Sequence, residues 1–451
     1  MATSEAVPVR RLFGTDGVRG VANRDLTPEL ALSIGRGLGA DLAPGSTVLI
    51  GRDTRRSGAL LEAAVAAGLA SAGIHVELGG VLPTPAVAEL VARGEQAAGV
   101  VISASHNPFP DNGIKLFGPD GFKLPDADEA RIEATMADDR GPRPEGGDLG
   151  TITAWPEGLA AYRDAMVARF EGDLGGLSVV LDCAHGATVT TAVDVVTRSG
   201  AKVAATIGAS PTGDNINVEC GSTSLAALSS AVVDAGADIG LAFDGDGDRV
   251  LAVDASGTVV DGDQILAILA LRLKERGELA HDTVVTTTMT NLGFRRAMRE
   301  RGVEVRWTDV GDRYVVAEMR SGGFTIGGEQ SGHLINLASG PTGDGLAAGL
   351  QLLHAVADSG GTLADLAAVM ARLPQKLVNF RVGDKSRLPE ATEVWDAVAR
   401  CEAEMGEDGR VVVRPSGTEP LVRVMVEAPT AAECDRWCDE IGAAVTRALT
   451  E

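Results

Sequence analysis

Three times along the chain, a short run of apolar and β-branched residues gives way to a helical spacing of apolar positions and then to a second apolar run. The first stretch goes from Thr47-Val-Leu-Ile-Gly-Arg-Asp53 through an alanine-rich helix to Gly73-Ile-His-Val-Glu-Leu78. The second goes from Ser178-Val-Val-Leu-Asp182 to Gly200-Ala-Lys-Val-Ala204, and the third from Thr283-Val-Val-Thr286 to Gly302-Val-Glu-Val-Arg306. In each, a glycine marks the helix end before the next strand. Strand, helix and strand in succession predict α/β layers with largely parallel sheets. The repetition predicts three related α/β units.

Punctuation between the units is clear. Asp138-Asp-Arg-Gly-Pro-Arg-Pro-Glu-Gly-Gly147, rich in proline, glycine and charge, reads as a linker after the first unit. The second unit ends near Val250-Leu-Ala-Val-Asp254, before a Ser-Gly turn and a new helix from about Asp263, and a third boundary falls near Arg372-Leu-Pro-Gln375. The rest differs: Arg410-Val-Val-Val-Arg414, a loop, Leu421-Val-Arg-Val-Met-Val426 and a closing helix read as a smaller α+β domain. The expected domains are 1–155, 156–258, 259–372 and 373–451. At roughly 150 residues per domain the 451-residue length suggests three. The distinct tail makes four.

Composition narrows the function classes. Hydrophobic residues make up 45% and charged residues 23%, ordinary values for a soluble globular protein. Lys+Arg number 40 against 63 Asp+Glu, a net charge of −23, which speaks against nucleic acid and anionic membrane as partners. The opening MATSEAVPVRRLFG has no apolar core, so no signal peptide is expected, and no apolar run approaches the length of a membrane span. Cys183, Cys220, Cys401, Cys434 and Cys438 are odd in number and contain no Cys-x-x-Cys pair. That pattern predicts a reducing, cytoplasmic setting with no disulfide framework and no structural zinc.

Four segments carry candidate chemistry. Asp244-Gly-Asp-Gly-Asp248, followed by Arg249, places three carboxylates on alternate residues at the end of a buried strand, Ile239-Gly-Leu-Ala-Phe243. Glycines let the backbone turn so that the carboxylates converge, and hard oxygen ligands suit Mg²⁺ or Ca²⁺. An EF-hand is excluded, because its sixth position is Arg249 and its twelfth Ala255. Ser103-Ala-Ser-His-Asn-Pro108 follows another apolar strand, which suits Ser105 to act as nucleophile or phosphate carrier, although the same residues form ordinary turns. Gly327-Gly-Glu-Gln-Ser-Gly-His333 offers polar side chains for a polyhydroxylated ligand, and His333 can exchange protons near neutral pH. Arg414-Pro-Ser-Gly-Thr-Glu-Pro420, with Arg423 beyond it, reads as an oxyanion cradle of guanidiniums, hydroxyls and backbone N–H groups. Phe13-Gly-Thr-Asp-Gly-Val-Arg-Gly20 adds Arg19, Gly51-Arg-Asp-Thr-Arg55 ends a strand with charge, and Asn112-Gly-Ile-Lys115 brings Lys115 within reach of Ser105. Gly35-Arg-Gly-Leu-Gly-Ala40 fits a dinucleotide fingerprint only formally, since it lies in a helix and precedes its strand.

Taken together, these motifs resemble the α-D-phosphohexomutase superfamily, and within it the bacterial branch acting on glucosamine phosphates. The matching strings are those at 13–20, 104–108, 244–249, 328–333 and 414–420, in the family's order and across nearly the whole chain. Gln330 favours this branch over the glucose and mannose mutases, which usually carry methionine there, and Ser103 stands where threonine is common. The resemblance implies three related α/β domains with mixed, largely parallel sheets, plus the smaller C-terminal α+β domain, around a central cleft. It implies interconversion of glucosamine 6-phosphate and glucosamine 1-phosphate through a 1,6-bisphosphate, feeding amino-sugar and cell-wall precursor synthesis. Ser105 would carry the phosphate, its phosphorylation being required for activity. One Mg²⁺ per site would bind that phosphoserine with Asp244, Asp246 and Asp248. Lys115 and His333 would move protons and Arg19 would lie near the reacting phosphate, with His106 and Arg249 in support. Glu329 and Ser331 would bind sugar hydroxyls, and Arg414, Ser416, Gly417, Thr418 and Arg423 the phosphate that is not reacting. The expected partners are small-molecule hexosamine phosphates, with the chain a monomer or homodimer. A mutase for glucose or mannose phosphates and a non-catalytic sugar-phosphate sensor are the alternatives.

Overall fold

The alternation of strand and helix is realised in the computed structural model, which describes residues 12–138, 141–170, 172–416 and 420–449. The first sheet has six strands in the order Val18–Val21, Asp111–Phe117, Ala98–Ile102, Thr47–Arg52, His75–Val81, Ile152–Ala154. Pairings from Ala98–Ile102 onward are parallel, and those on its other side antiparallel. The second sheet runs Val259–Val260, Val250–Asp254, Ile239–Phe243, Ser178–Asp182, Lys202–Ile207, its last two pairings parallel. The third runs Glu304–Thr308, Thr283–Thr287, Ile326–Gly328, Leu334–Asn336, with only the last pairing antiparallel. The three sheets are thus mixed: helices connect the parallel strands, and the antiparallel pairs are local in sequence except for Val18–Val21 with Asp111–Phe117.

Burial follows from this layering. Ala98–Ile102, Ile239–Phe243, Val250–Asp254 and Thr283–Thr287 are buried at every position, as expected for strands covered on both faces. Gly73, Gly200 and Gly302 all have positive φ, so the glycines ending the repeated helices do the work their spacing implied. The string Gly35-Arg-Gly-Leu-Gly39 lies inside the helix Pro28–Asp41. A Cβ on Gly35 would sit 2.3 Å from the carbonyl oxygen of Val65, and one on Gly68 2.2 Å from that of Leu32. These glycines let the helices Pro28–Asp41 and Gly58–Ser71 touch backbone to backbone.

The chain forms two compact bodies, Met1–Thr288 with Glu304–Ala368, and Met289–Val303 with Val369–Glu451. In the second body the antiparallel strands Gln375–Arg381, Leu421–Glu427 and Arg410–Pro415 pack against the helices Thr392–Met405 and Ala431–Leu449. Their core includes Val394, Cys401, Val424, Trp437 and Ile441. The helix Leu292–Glu300 of the third sequence repeat belongs here. Asn291 exchanges hydrogen bonds with the backbone of Leu373, and Leu292 N–H donates to Glu427. Nothing in the repeat pattern distinguished that helix from its two counterparts. The five cysteines are buried and free. No helix among the described residues is long and apolar enough to cross a membrane.

Candidate active site

The serine loop leaves the strand Ala98–Ile102 and returns through Asp111–Phe117, which carries Lys115 opposite Val101. Ser105 is 1% exposed and has a positive φ of 52°, an unusual conformation for a non-glycine residue. Its Oγ donates to Asp244 Oδ2 at 2.5 Å and lies 3.2 Å from His106 Nδ1. The strained turn is held by Arg55, whose side chain is fully buried. The Arg55 guanidinium donates to the carbonyls of Ser105, Asn107, Pro108 and Asp111 and, through Nε, to Asp53. Asp53 also accepts from Ser103 Oγ, which in turn receives the N–H of Ser105. Asn217 Nδ2 adds a second donor to the Ser105 carbonyl at 2.9 Å.

The aspartate loop is gripped just as completely. Four successive carbonyls accept backbone N–H groups from different places: Asp244 from Gly247, Gly245 from Ala187, Asp246 from Thr84, and Gly247 from Gly345. Carboxylate oxygens of Asp244, Asp246 and Asp248 lie within 4.8 Å of one another, all buried. Like charges so close cannot all persist without compensation. Burial, reinforced by Asp248 and Asp246, pushes Asp244 well above the usual carboxylate range. For Asp248 burial acts in the same direction but is overcome by Lys115 and His333, which hold it well below that range. Asp246 Oδ2 accepts from Lys115 Nζ at 2.7 Å and from Thr84 Oγ1 at 2.6 Å, whereas its buried Oδ1 has no hydrogen-bond donor. Arg249 donates its N–H to Asp244 Oδ1, and its Nε lies 3.8 Å from Asp248.

The hairpin between Ile326–Gly328 and Leu334–Asn336 supplies Glu329, Ser331 and His333. Glu329 accepts from the N–H of Gly311, and the buried Ser331 Oγ has no hydrogen-bond partner. His333 lies 3.6 Å from both Asp248 and Asp312. Burial disfavours its cation, but Asp248 and then Asp312 outweigh it and raise His333 to about 9. Lys115 follows the same logic: burial opposes the ammonium, and Asp246 and Asp248 hold it above the ordinary lysine value. Lys123 bridges Asp312 and Asp16 at 2.7 Å each, and Asp16 lies 3.4 Å from Arg19. A line of alternating charge therefore runs Arg19, Asp16, Lys123, Asp312, His333, Asp248, Lys115, Asp246.

In the C-terminal body, Arg414 and Arg423 stand opposite one another on adjacent antiparallel strands. Burial and then the neighbouring Arg423 lower the Arg414 guanidinium from its ordinary value, an arrangement that favours an anion between them. Lys385 Nζ donates to the carbonyl of Ser416 at 2.5 Å and adds a third cation. Gly417 and Thr418 lie outside the described residues.

Comparison with known proteins places this arrangement. Residues 10–142, 160–257 and 261–385 match the domains described as phosphoglucomutase/phosphomannomutase alpha/beta/alpha domains I, II and III, and residues 377–444 match the C-terminal domain. The phosphoglucosamine mutase of Mycolicibacterium paratuberculosis is 53% identical over 443 residues, covering 97% of this chain and 99% of the relative. That of Frankia alni is 54% identical over 450 residues, with 97% and 99% covered. The chain belongs to the phosphoglucosamine mutases of the phosphohexomutase superfamily. It is therefore an isomerase, an intramolecular phosphotransferase. A crystal structure of a phosphoglucomutase/phosphomannomutase family protein from Burkholderia thailandensis shares the fold, with a TM-score of 0.80, 24% identity and coverage of 97% and 99%.

For a phosphoglucosamine mutase the donor set matters most at the aspartate loop. Three clustered carboxylates, with Asp246 Oδ1 buried and unclaimed, fit a divalent cation and its preference for hard oxygen ligands. Ser105, Lys115, His333, Arg19, Arg249 and the three aspartates fall into one connected cluster in the first body, with Glu329 and Ser331 on the hairpin that carries His333. Arg55, Thr84, Asn217, Lys123 and Lys385 went unread in the sequence. Arg55 had a weak signal, the charged string Gly51-Arg-Asp-Thr-Arg55 at a strand end; the other four had none, because each acts on a loop far away in sequence.

Proposed function

We propose that the protein interconverts glucosamine 6-phosphate and glucosamine 1-phosphate, with Ser105 as the phosphate carrier. The observation that carries this reading is the 2.5 Å hydrogen bond from Ser105 Oγ to Asp244 at the mouth of the aspartate loop. In the forward half-reaction a sugar hydroxyl attacks the phosphorus of phosphoserine, a new O–P bond forms and the P–Oγ bond breaks. The proton leaving the hydroxyl and the one returned to Oγ balance, and Lys115 and His333 are the groups that carry them. The resulting 1,6-bisphosphate turns around and returns its other phosphate to Ser105. Asp244, Asp246 and Asp248, with the phosphoserine, would hold one Mg²⁺, which when bound neutralises phosphoryl charge.

Glu329 and the unpartnered Ser331 suit sugar hydroxyls presented in either orientation. Arg414, Ser416, Gly417, Thr418 and Arg423 hold the phosphate that is not reacting, since guanidiniums grip phosphate without reading its attachment point. Arg19 meets the reacting phosphate, and His106 and Arg249 support Ser105 and the aspartates. The domains 1–155, 156–258, 259–372 and 373–451 then contribute one loop each. The reaction supports amino-sugar and cell-wall precursor synthesis in the cytoplasm, by a monomer or homodimer. The decisive assay compares turnover of glucosamine, glucose and mannose phosphates side by side. Glucosamine phosphate is expected to be fastest; faster turnover of glucose or mannose phosphate overturns the substrate. Ser105→Ala is expected to abolish turnover without altering the fold, and substantial residual activity sinks the carrier role.

A further inference from the structure

Residues Gly343, Asp344 and Gly345 lie outside every motif read from the sequence, yet they touch two functional loops at once. A Cβ on Gly343 would fall 2.5 Å from the ring of His333. One on Gly345 would fall 2.3 Å from the carbonyl oxygen of Arg249 and 3.1 Å from that of Gly247. The helix Gly345–Ser359 therefore starts directly on the backbone of the aspartate loop, and Gly345 N–H donates to the Gly247 carbonyl at 3.0 Å. That carbonyl lies between the second and third carboxylates of the loop.

What fixes this first turn is Asp344. Its Oδ1 caps the helix by accepting from Ala347 N–H at 2.9 Å, and its Oδ2 accepts from the hydroxyl of Tyr162 at 2.8 Å. Tyr162 is 1% exposed and belongs to the helix Glu157–Arg169, so the tie reaches a different layer of the fold. Side-chain rotation of Asp344 is thus blocked from two directions, and its backbone N–H also points at the Leu334 carbonyl at 3.4 Å, next to His333. A cap on a surface helix needs only the first of these bonds. The hydroxyl and the glycine contacts add aim: they set where the turn meets the loop.

We propose that Asp344, locked by Tyr162, is a positioning residue for the metal-binding loop, acting through Gly345 on the Gly247 carbonyl to hold Asp246 and Asp248 in ligating register. This rests on the reading of the aspartates as a metal site. Outer groups that orient metal ligands typically change metal affinity or activity about 10–100-fold when removed. The loss appears in metal affinity rather than in sugar-phosphate affinity, because Asp344 touches no residue assigned to the sugar.

The test uses the full-length protein with Mn²⁺ as probe, following free ion by electron paramagnetic resonance, alongside the KM for glucosamine 6-phosphate. Asp344→Ala is expected to raise the Mn²⁺ dissociation constant about tenfold and leave KM within about twofold. Asp344→Asn keeps a capping oxygen and a partner for the tyrosine hydroxyl, so it restores Mn²⁺ affinity. Tyr162→Phe, which removes one hydroxyl and leaves the capping bond of Asp344 in place, gives a smaller loss of about threefold, below the usual range of about 10–100-fold. Wild-type Mn²⁺ affinity in folded Asp344→Ala overturns the proposal. If that variant does not fold, unchanged affinity in Tyr162→Phe does so instead. Asp246→Ala separates the two readings: if it too binds Mn²⁺ like wild type, the metal site itself falls. If Asp246→Ala loses Mn²⁺ while Asp344→Ala keeps it, only the positioning role falls.

Discussion

Arg55 shows how much of the serine loop rests on one fully buried side chain. Its guanidinium ties four loop carbonyls and Asp53, a fan that only a planar, five-donor group can supply. Arg55→Lys keeps the charge but loses the fan, and kcat is expected to fall about 100-fold, as a misplacement near 1 Å can cause. Steady-state kinetics at matched KM would show it; near-wild-type kcat in the lysine variant would deny Arg55 this role. Arg55→Met additionally strands buried Asp53 and is expected to destabilise the protein by about 3–5 kcal/mol in urea unfolding.

Asp344 permits a pH prediction at the same scale. Burial, with the nearby Glu89 adding to it, raises its carboxyl from 3.8 to about 6, while bonds from Ala347 and Tyr162 pull the other way. The folded-state value lies above the unfolded one, so its contribution is full below about pH 4 and is lost as pH rises through 6. The shift corresponds to about 3 kcal/mol. Asp344→Asn should lose less stability than wild type between pH 4.5 and 7, read as the difference in urea midpoints. Parallel curves would disprove the linkage.

At the scale of elements, glycine decides how closely two helices approach. Gly35 and Gly68 bring Pro28–Asp41 against Gly58–Ser71, each at a position where a Cβ would strike backbone. Gly35→Val should cost about 1–3 kcal/mol through forced separation. The melting temperature should drop while KM stays put, since neither helix carries a site residue; an unchanged melting temperature would show that the helices yield freely. The same glycines explain why this string mimics a dinucleotide fingerprint. Small residues suit close approach to a backbone, whether the neighbour is a pyrophosphate or another helix.

For the whole molecule, the strand–helix–strand repeats and the serine and aspartate loops were legible because each is local in sequence. The Asp244-Gly-Asp-Gly-Asp248 spacing announces converging carboxylates, and strand–helix–strand periodicity announces the layers. The supports were not legible: Arg55, Thr84, Asn217 and Asp344 act across 50 to 182 residues of chain, as the Arg55–Ser105, Thr84–Asp246 and Asp344–Tyr162 bonds illustrate. The association of Leu292–Glu300 with the C-terminal body was hidden for the same reason. Net charge is the property here that sequence alone can convert into a measurement. At −23 the folded chain repels itself, so raising ionic strength from 10 to 150 mM, which shortens the screening length from about 30 to 8 Å, should raise its melting temperature. A fall instead would mean that surface ion pairs dominate.

The alternating line from Arg19 to Asp246 holds four cations and four carboxylates, a sum of zero inside a strongly anionic protein. Lys123 and His333 each stand between two carboxylates that have a second cation in the line, whereas Asp246, at its end, has Lys115 alone. In the proposed reaction, a phosphate group turning along this row meets cations spaced between carboxylates, so the site is locally neutral where the surrounding protein is strongly anionic.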